Sequence, residues 1–334
     1  MVLDLAQMKS ITLGAERIEK KEDGFHFSRF TQEQDALYQN RGQSAYIRSL
    51  ASSGIQFRFT TNSRTLFLQT KILPGSGRSY FAFEIFVDGK RFDTLDNYDG
   101  KEMTGIYTND VYPRGDFQKL FNLGAGEKEI CVYFPWSARV VIKNFGLEDG
   151  AWFKPVKPEK TMLIFGDSIT QGYDAAYPSN KYITRLAEKL GAQEYNKAIG
   201  GEIFFPELAL TKESFVPDYV TVSYGTNDWS RCTKEEIMAN CKAFFSNIAL
   251  MYPESKVLVI TPIWCKTDNM VKPVGKHEKM DGLIREIAKE FDSMTVVNGY
   301  ELVPHEVKFF ADGHLHPNDE GFDHYYENLV KELF

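Results

Sequence analysis

Cysteine is scarce in this chain. The four residues Cys131, Cys232, Cys241 and Cys265 show no C-x-x-C spacing and no neighbouring histidine pair. That excludes a disulfide scaffold and the common zinc sites, so the thiols are expected to be reduced and mostly buried, with no metal to bind. A basic excess is also missing. With a formal net charge of -7, the surface lacks the electrostatic footprint of a partner for nucleic acid or anionic lipid. No stretch approaches the roughly 20 apolar residues of a membrane span, and Met1 to Lys20 lack the basic start and unbroken apolar run of a secretory signal. A cytoplasmic chain is therefore expected, with the reservation that a secreted protein already trimmed of its signal reads the same. Internal repeats and low-complexity tracts are absent, and the composition carries no signal for an oligomeric state.

What is present divides into two grammars. A chain of 334 residues is long for one core and comfortable for two. Up to about Gly150, apolar residues alternate with period two, as in Ile55, Phe57, Phe59 and in Phe81, Phe83, Ile85, Val87, the pattern of half-buried strands. Turn residues punctuate them at 61–63, 74–77, 88–89 and 124–126. Short strands at this spacing predict a β-sandwich, jelly-roll-like, over 1–153. Two prolines and several charges at 154–160 then read as a stiff linker.

From 161 to 334 the pattern changes. Met162-Leu163-Ile164-Phe165, Tyr219 to Val222, Val257 to Ile260 and Thr295 to Val297 are short β-rich runs suited to strands buried on both faces. Helix-patterned stretches lie between them, at 181–190, 233–251, 277–291 and 319–333. Alternating strands and helices predict a parallel sheet covered on both sides, a three-layer α/β/α, flavodoxin-like domain. In such sheets the loops at the strand C-terminal ends carry the chemistry.

Four of those loops hold complementary groups. Gly166-Asp167-Ser168 lets the chain turn sharply and lift a hydroxyl above the sheet edge. Asn196-Lys197-Ala198-Ile199-Gly200-Gly201 has paired glycines that allow amides to face a developing oxyanion. Gly225-Thr226-Asn227-Asp228-Trp229 offers the Asn227 amide as a further donor. Asp312-Gly313-His314-Leu315-His316-Pro317-Asn318 supplies an imidazole and a carboxylate before the last helix. No Gly-Lys-Ser/Thr follows the glycines around Ser168, which rules out a phosphate loop. Asp167 and Asp228 are expected to organise their turns, and the scattered His26, His277, His305 and His324 to be surface or satisfied core groups.

The four blocks, in this order from about Thr161 to Phe334, resemble the SGNH (GDSL) serine hydrolases. The resemblance implies Ser168 as nucleophile, His316 as base, Asp312 as its orienting acid, and an oxyanion hole from the amides of Ser168 and Gly201 with the Asn227 side chain. One departure stands out: the family usually has two residues between acid and histidine, and here Gly313, His314 and Leu315 make three. A backbone carbonyl is the alternative orienter. A β-sandwich ahead of such a domain is similar to two-domain carbohydrate esterases that remove acetyl groups, which implies a small acyl ester of a carbohydrate as substrate and no cofactor. Trp229 and Trp264, after strand ends, and His314, beside the base, are the candidates for touching a sugar. Two other readings use the same residues differently: a lipid or lysophospholipid acylhydrolase, against which stands the want of a strongly apolar amphipathic lid, and an inactive glycan-binding protein.

Overall fold

The computed structural model describes residues 1–98 and 111–334. The alternating runs of the first half form a sandwich of two antiparallel sheets. One sheet orders its strands Thr12–Leu13, Gln56–Thr61, Lys128–Tyr133, Ala82–Val87 and Lys90–Asp96; the other orders Arg17–Lys21, Gly24–Ser28, Ala138–Leu147, Thr65–Pro74 and Gly115–Asn122. Period two makes each strand bury one face, and the inward residues meet in an aromatic core. Phe57 packs edge-on against Phe134 and Phe145, both at 4.7 Å between ring centroids.

Two features depart from the expected organisation. The linker is shorter than 154–160, because Phe153–Pro155 pairs with Gln56–Thr61 as an edge strand. Pro155 is tolerated there since an edge residue has one side with no ladder bond to make. The first half is also not purely β. Helices Gln32–Asn40 and Gln43–Ser49 interrupt it, the first opened by a capping box in which Thr31 and Gln34 exchange side-chain and backbone bonds. Phe30 and Tyr38 of this arm are fully buried among residues of the second half, which explains why no sandwich periodicity marks the segment.

The second half is a five-stranded parallel sheet in the spatial order Ala192–Asn196, Lys160–Gly166, Tyr219–Ser223, Lys256–Ile260 and Met294–Val297. Counted within this half the order is 2-1-3-4-5, so the switch point lies between the strand that ends at Gly166 and the one that ends at Ser223. The helix-patterned stretches form Tyr182–Leu190, Lys234–Met251, Lys279–Ala288 and Asp319–Leu333. The third is shorter than its pattern because its start tightens into i→i+3 bonds from Lys279 and Met280. No described helix is long and apolar enough to cross a membrane. All four cysteines are free, three of them buried.

The two halves join through buried polar groups. Arg29, 1% exposed, donates to the carbonyls of Ala51 (2.6 Å), Asn196 (2.6 Å) and Ala198 (2.9 Å). Lys181 Nζ bridges Ser53 Oγ (2.9 Å) and Glu194 (3.0 Å). Trp136 Nε1 donates to Ala175 O at 2.9 Å, and Gln171 Nε2 to Trp136 O at 3.0 Å. Ser53, Trp136 and the Arg29 arm thus grip the loops that leave the parallel sheet.

Candidate active site

Strand Lys160–Gly166 delivers the chain to Asp167, whose carboxylate caps the short helix Ser168–Gln171 by accepting from Ile169 N at 3.0 Å. Gly166 has to be glycine: a Cβ there would stand 2.5 Å from Thr170 Oγ1. Ser168 therefore occupies the first helical position, where the N–H has no partner within its own helix and the dipole favours negative charge. Burial raises the Asp167 carboxyl to about 6, the bond from Ile169 only partly opposing it.

The Ser168 hydroxyl lies 2.8 Å from His316 Nε2. On the other side of the ring, Nδ1 is 2.7 Å from Asp312 Oδ2. With Nδ1–H donated to the carboxylate, Nε2 is left as the acceptor for the hydroxyl, the arrangement that proton abstraction requires. The extra residue between Asp312 and His316 is absorbed by a turn closed at Gly313 (φ 65°), where Asp312 Oδ1 accepts from the amides of His314 (2.9 Å), Leu315 (2.8 Å) and His316 (3.1 Å). Partial burial disfavours the Asp312 charge. The His316 bond and the amides outweigh it and hold the carboxyl well below the usual range.

A second carboxylate reaches the imidazole. Asp174 Oδ2 lies 3.7 Å from His316 Nδ1, and the side chain is fully buried. Arg78 of the sandwich clamps it through Nε (2.6 Å) and Nη2 (2.8 Å), and Tyr80 donates its hydroxyl at 2.9 Å. Asp174 has left-handed backbone (φ 70°), uncommon outside glycine, while Tyr173 lays its ring 5.3 Å from that of His316. Neither residue was anticipated, and no motif marks them. The ligand atoms of Asp174, Asp312 and His316 fall within 4.8 Å of one another. The Arg78 guanidinium on both Asp174 oxygens opposes a cation there, so the trio reads as a hydrogen-bonded cluster.

The loops Asn196–Gly201 and Gly225–Asn227 follow the strands on either side of the one that carries Ser168. Gly201 has φ 78°. Asn227 Nδ2 donates to Glu202 O at 3.0 Å, and its carbonyl accepts from Arg231 at 3.4 Å. A side-chain amide has two N–H groups, so one donor remains after that bond. Asp228 is structural as expected, accepting from Phe204 N (3.0 Å) and Gly225 N (3.1 Å), with burial raising its carboxyl to about 7.

The expected sugar contacts fare unevenly. Trp229 is 4% exposed, donates Nε1 to Gly275 O (2.9 Å) and packs against His277, so it is a core residue and offers no face for stacking. Trp264 is partly exposed, with His305 stacked on its ring at 5.5 Å. His314 is half-buried, and its carbonyl accepts from Lys266 N at 2.9 Å. His277 differs from a satisfied core histidine: neither ring nitrogen has a hydrogen-bond partner among the described residues, and burial lowers it to about 4, hence neutral.

Residues 164–324 match the GDSL-like lipase/acylhydrolase family. No curated protein matches the chain in a sequence comparison. Solved structures match over nearly the whole length. The salicylyl-acyltransferase SsfX3 from a tetracycline biosynthetic pathway superposes with a TM-score of 0.83 at 17% identity, covering 100% of this chain and 96% of that one. A family two carbohydrate esterase from Clostridium thermocellum in complex with cellohexaose gives 0.65 at 15%, covering 96% and 98%. The acetyl xylan esterase Est2A from the rumen bacterium Butyrivibrio proteoclasticus gives 0.63 at 13%, covering 100% and 97%. At these identities the likeness establishes a shared two-domain fold.

Proposed function

We propose that this chain, whose residues 164–324 belong to the GDSL-like lipase/acylhydrolase family, is a serine esterase that removes acetyl from a carbohydrate. The observation that carries the reading is the unbroken path from Asp312 through His316 to the Ser168 hydroxyl, with 2.7 and 2.8 Å links. A serine hydroxyl is a weak nucleophile at neutral pH. His316 takes its proton as Ser168 Oγ adds to the ester carbonyl, then returns that proton to the leaving alkoxide, and the same imidazole activates the water that hydrolyses the acyl-enzyme. The amides of Ser168 and Gly201 and the free N–H of Asn227 meet the oxyanion. Removing one such donor by Asn227→Ala is expected to cost about 100- to 1000-fold in kcat.

Support for a sugar substrate is the fold shared along the whole chain with carbohydrate esterases, one of them bound to cellohexaose. Trp264 and His314, both partly exposed, are the residues assigned to touch it. The sandwich reaches the site through Arg78 and Tyr80, which hold Asp174 beside His316. A fluorophosphonate probe is expected to label Ser168, and rates on p-nitrophenyl esters to fall steeply beyond short acyl chains. Activity that holds to long acyl chains would replace the acetyl assignment with a lipid one. An unlabelled Ser168 in folded protein would favour a glycan-binding role.

A second reading follows from the acyltransferase match at a TM-score of 0.83. The acyl-enzyme on Ser168 is common to both reactions, and only the acceptor differs. Product partition between acetate and an acetylated alcohol, measured with rising acceptor concentration, separates them.

A further inference from the structure

We propose that Arg48, a residue of the N-terminal arm, is a positioning residue for the oxyanion: its guanidinium orients and polarises the peptide that joins Gly200 to Gly201. The inference rests on the esterase reading above. Arg48 stands near the end of helix Gln43–Ser49, and its Nη1 donates to Gly200 O at 2.5 Å while Nη2 donates to Ser44 Oγ at 2.9 Å. The Gly200 carbonyl and the Gly201 N–H belong to one peptide unit. In a trans peptide these two groups point in opposite directions, and no described peptide bond is cis. Anchoring the carbonyl on Arg48 therefore fixes the direction of the amide assigned to the oxyanion.

The charge matters besides the direction. A cation bonded to a carbonyl draws electron density along the peptide and makes its N–H a better donor. Among the described residues no carboxylate lies within ion-pairing distance of Arg48, so no bound counter-charge offsets that pull. The other contacts of the loop fit the same purpose. Gly200 N donates to Gln171 Oε1 at 2.7 Å, tying the glycine pair to the helical turn of Ser168 itself. Arg231 Nη1 donates to Gly201 O at 2.8 Å. Gly201 has φ 78°, which strains any other residue there, and a Cβ would also press Arg48 Nη1 at 2.7 Å out of its place. A buried carbonyl is satisfied by any donor, so a guanidinium brought from the other half of the molecule calls for a reason beyond satisfaction.

Two variants separate charge from hydrogen bonding. Arg48→Lys keeps the cation, and Arg48→Gln keeps a neutral donor. The expectation is a loss of about 10- to 100-fold in kcat for the Gln variant, less than for removing a donor outright, with KM within about two-fold of wild type. The Lys variant should retain several times more activity than the Gln variant. A trifluoromethyl ketone, whose carbon bonds Ser168 Oγ while its oxygen becomes the anion and His316 holds the proton, should weaken on the Gln variant by about the same factor as kcat. The 15N–1H signal of Gly201 should move upfield in the Gln variant, a change that needs no turnover. Equal rates in the Lys and Gln variants, a wild-type kcat in the Gln variant, or a loss that appears in KM alone would each overturn the role of Arg48. Fluorophosphonate labelling of the wild type tests the esterase reading separately: labelled wild type with an unimpaired Gln variant overturns Arg48 alone, and unlabelled wild type overturns both.

Discussion

The interior of the sandwich and its junction with the α/β half are both buried, yet they are built of opposite materials. The interior is aromatic and aliphatic: Phe27, Phe57, Phe83, Phe134 and Phe145 meet edge to face with no polar partner to satisfy. The junction buries Arg29, the Lys181–Glu194 pair and Asp174 under Arg78. Apolar contact is non-directional, so many registers of one surface on another satisfy it almost equally well. A buried charge is satisfied by few, because displacement leaves it unpaired in low dielectric. The sandwich core therefore holds its own sheets together, while the junction fixes where Arg78, Arg48 and Arg29 stand relative to His316 and the Gly200–Gly201 loop.

The largest expected effect breaks the junction. Arg78→Met leaves Asp174 buried beside His316 without its bidentate partner and is expected to destabilise the fold by about 3–5 kcal/mol in urea unfolding. Next comes a pH-linked effect at Asp167. Its folded carboxyl titrates near 6 against an ordinary value of 3.8. The folded state therefore holds the proton more tightly, and this group's contribution to stability is full below about pH 4 and falls as pH rises towards 6. Asn caps helices as well as Asp. Asp167→Asn should thus gain stability relative to wild type between pH 4 and pH 7.5, on the order of 3 kcal/mol at most. A flat difference across that range would show that Asp167 is ionised freely in the fold.

These two regions also differ in how far the sequence reveals them. Alternation in Phe81 to Val87 and the β-rich runs of the second half place strands, because periodicity reports which face is buried. Ser168, His316 and Asp312 stand in motif blocks: Ser168 must sit at a strand end beside a glycine turn, and Asp312 and His316 must be brought together by the turn at Gly313 ahead of the last helix. Arg29, Arg48, Arg78 and Asp174 carry no local signature, because the partners that join the two halves lie 96 to 169 residues away in the chain or depend on left-handed backbone at a non-glycine residue. Trp229 shows the converse error. Its place after a strand end pointed to a sugar platform, but helix Thr226–Arg231 turns it into the core, a direction that only the third dimension supplies.

The smaller effects sharpen the contrast from the other side. Leu68, fully buried in the sandwich core, tolerates Met, which keeps its volume and asks for no partner, at a cost below about 1.5 kcal/mol. Lys242 and Glu290 pair at 2.6 Å on the surface with both side chains about half exposed, and Lys242→Met should change stability by roughly 0–0.5 kcal/mol. Lys242 and Glu290 lie as close to each other as Arg78 and Asp174 do, so contact distance alone predicts similar losses for Lys242→Met and Arg78→Met. If burial of charge sets the scale, the order in urea unfolding is Arg78→Met, then Leu68→Met, then Lys242→Met. A Leu68→Met loss that matches Arg78→Met would mean that shape complementarity, and not unpaired charge, makes the junction specific.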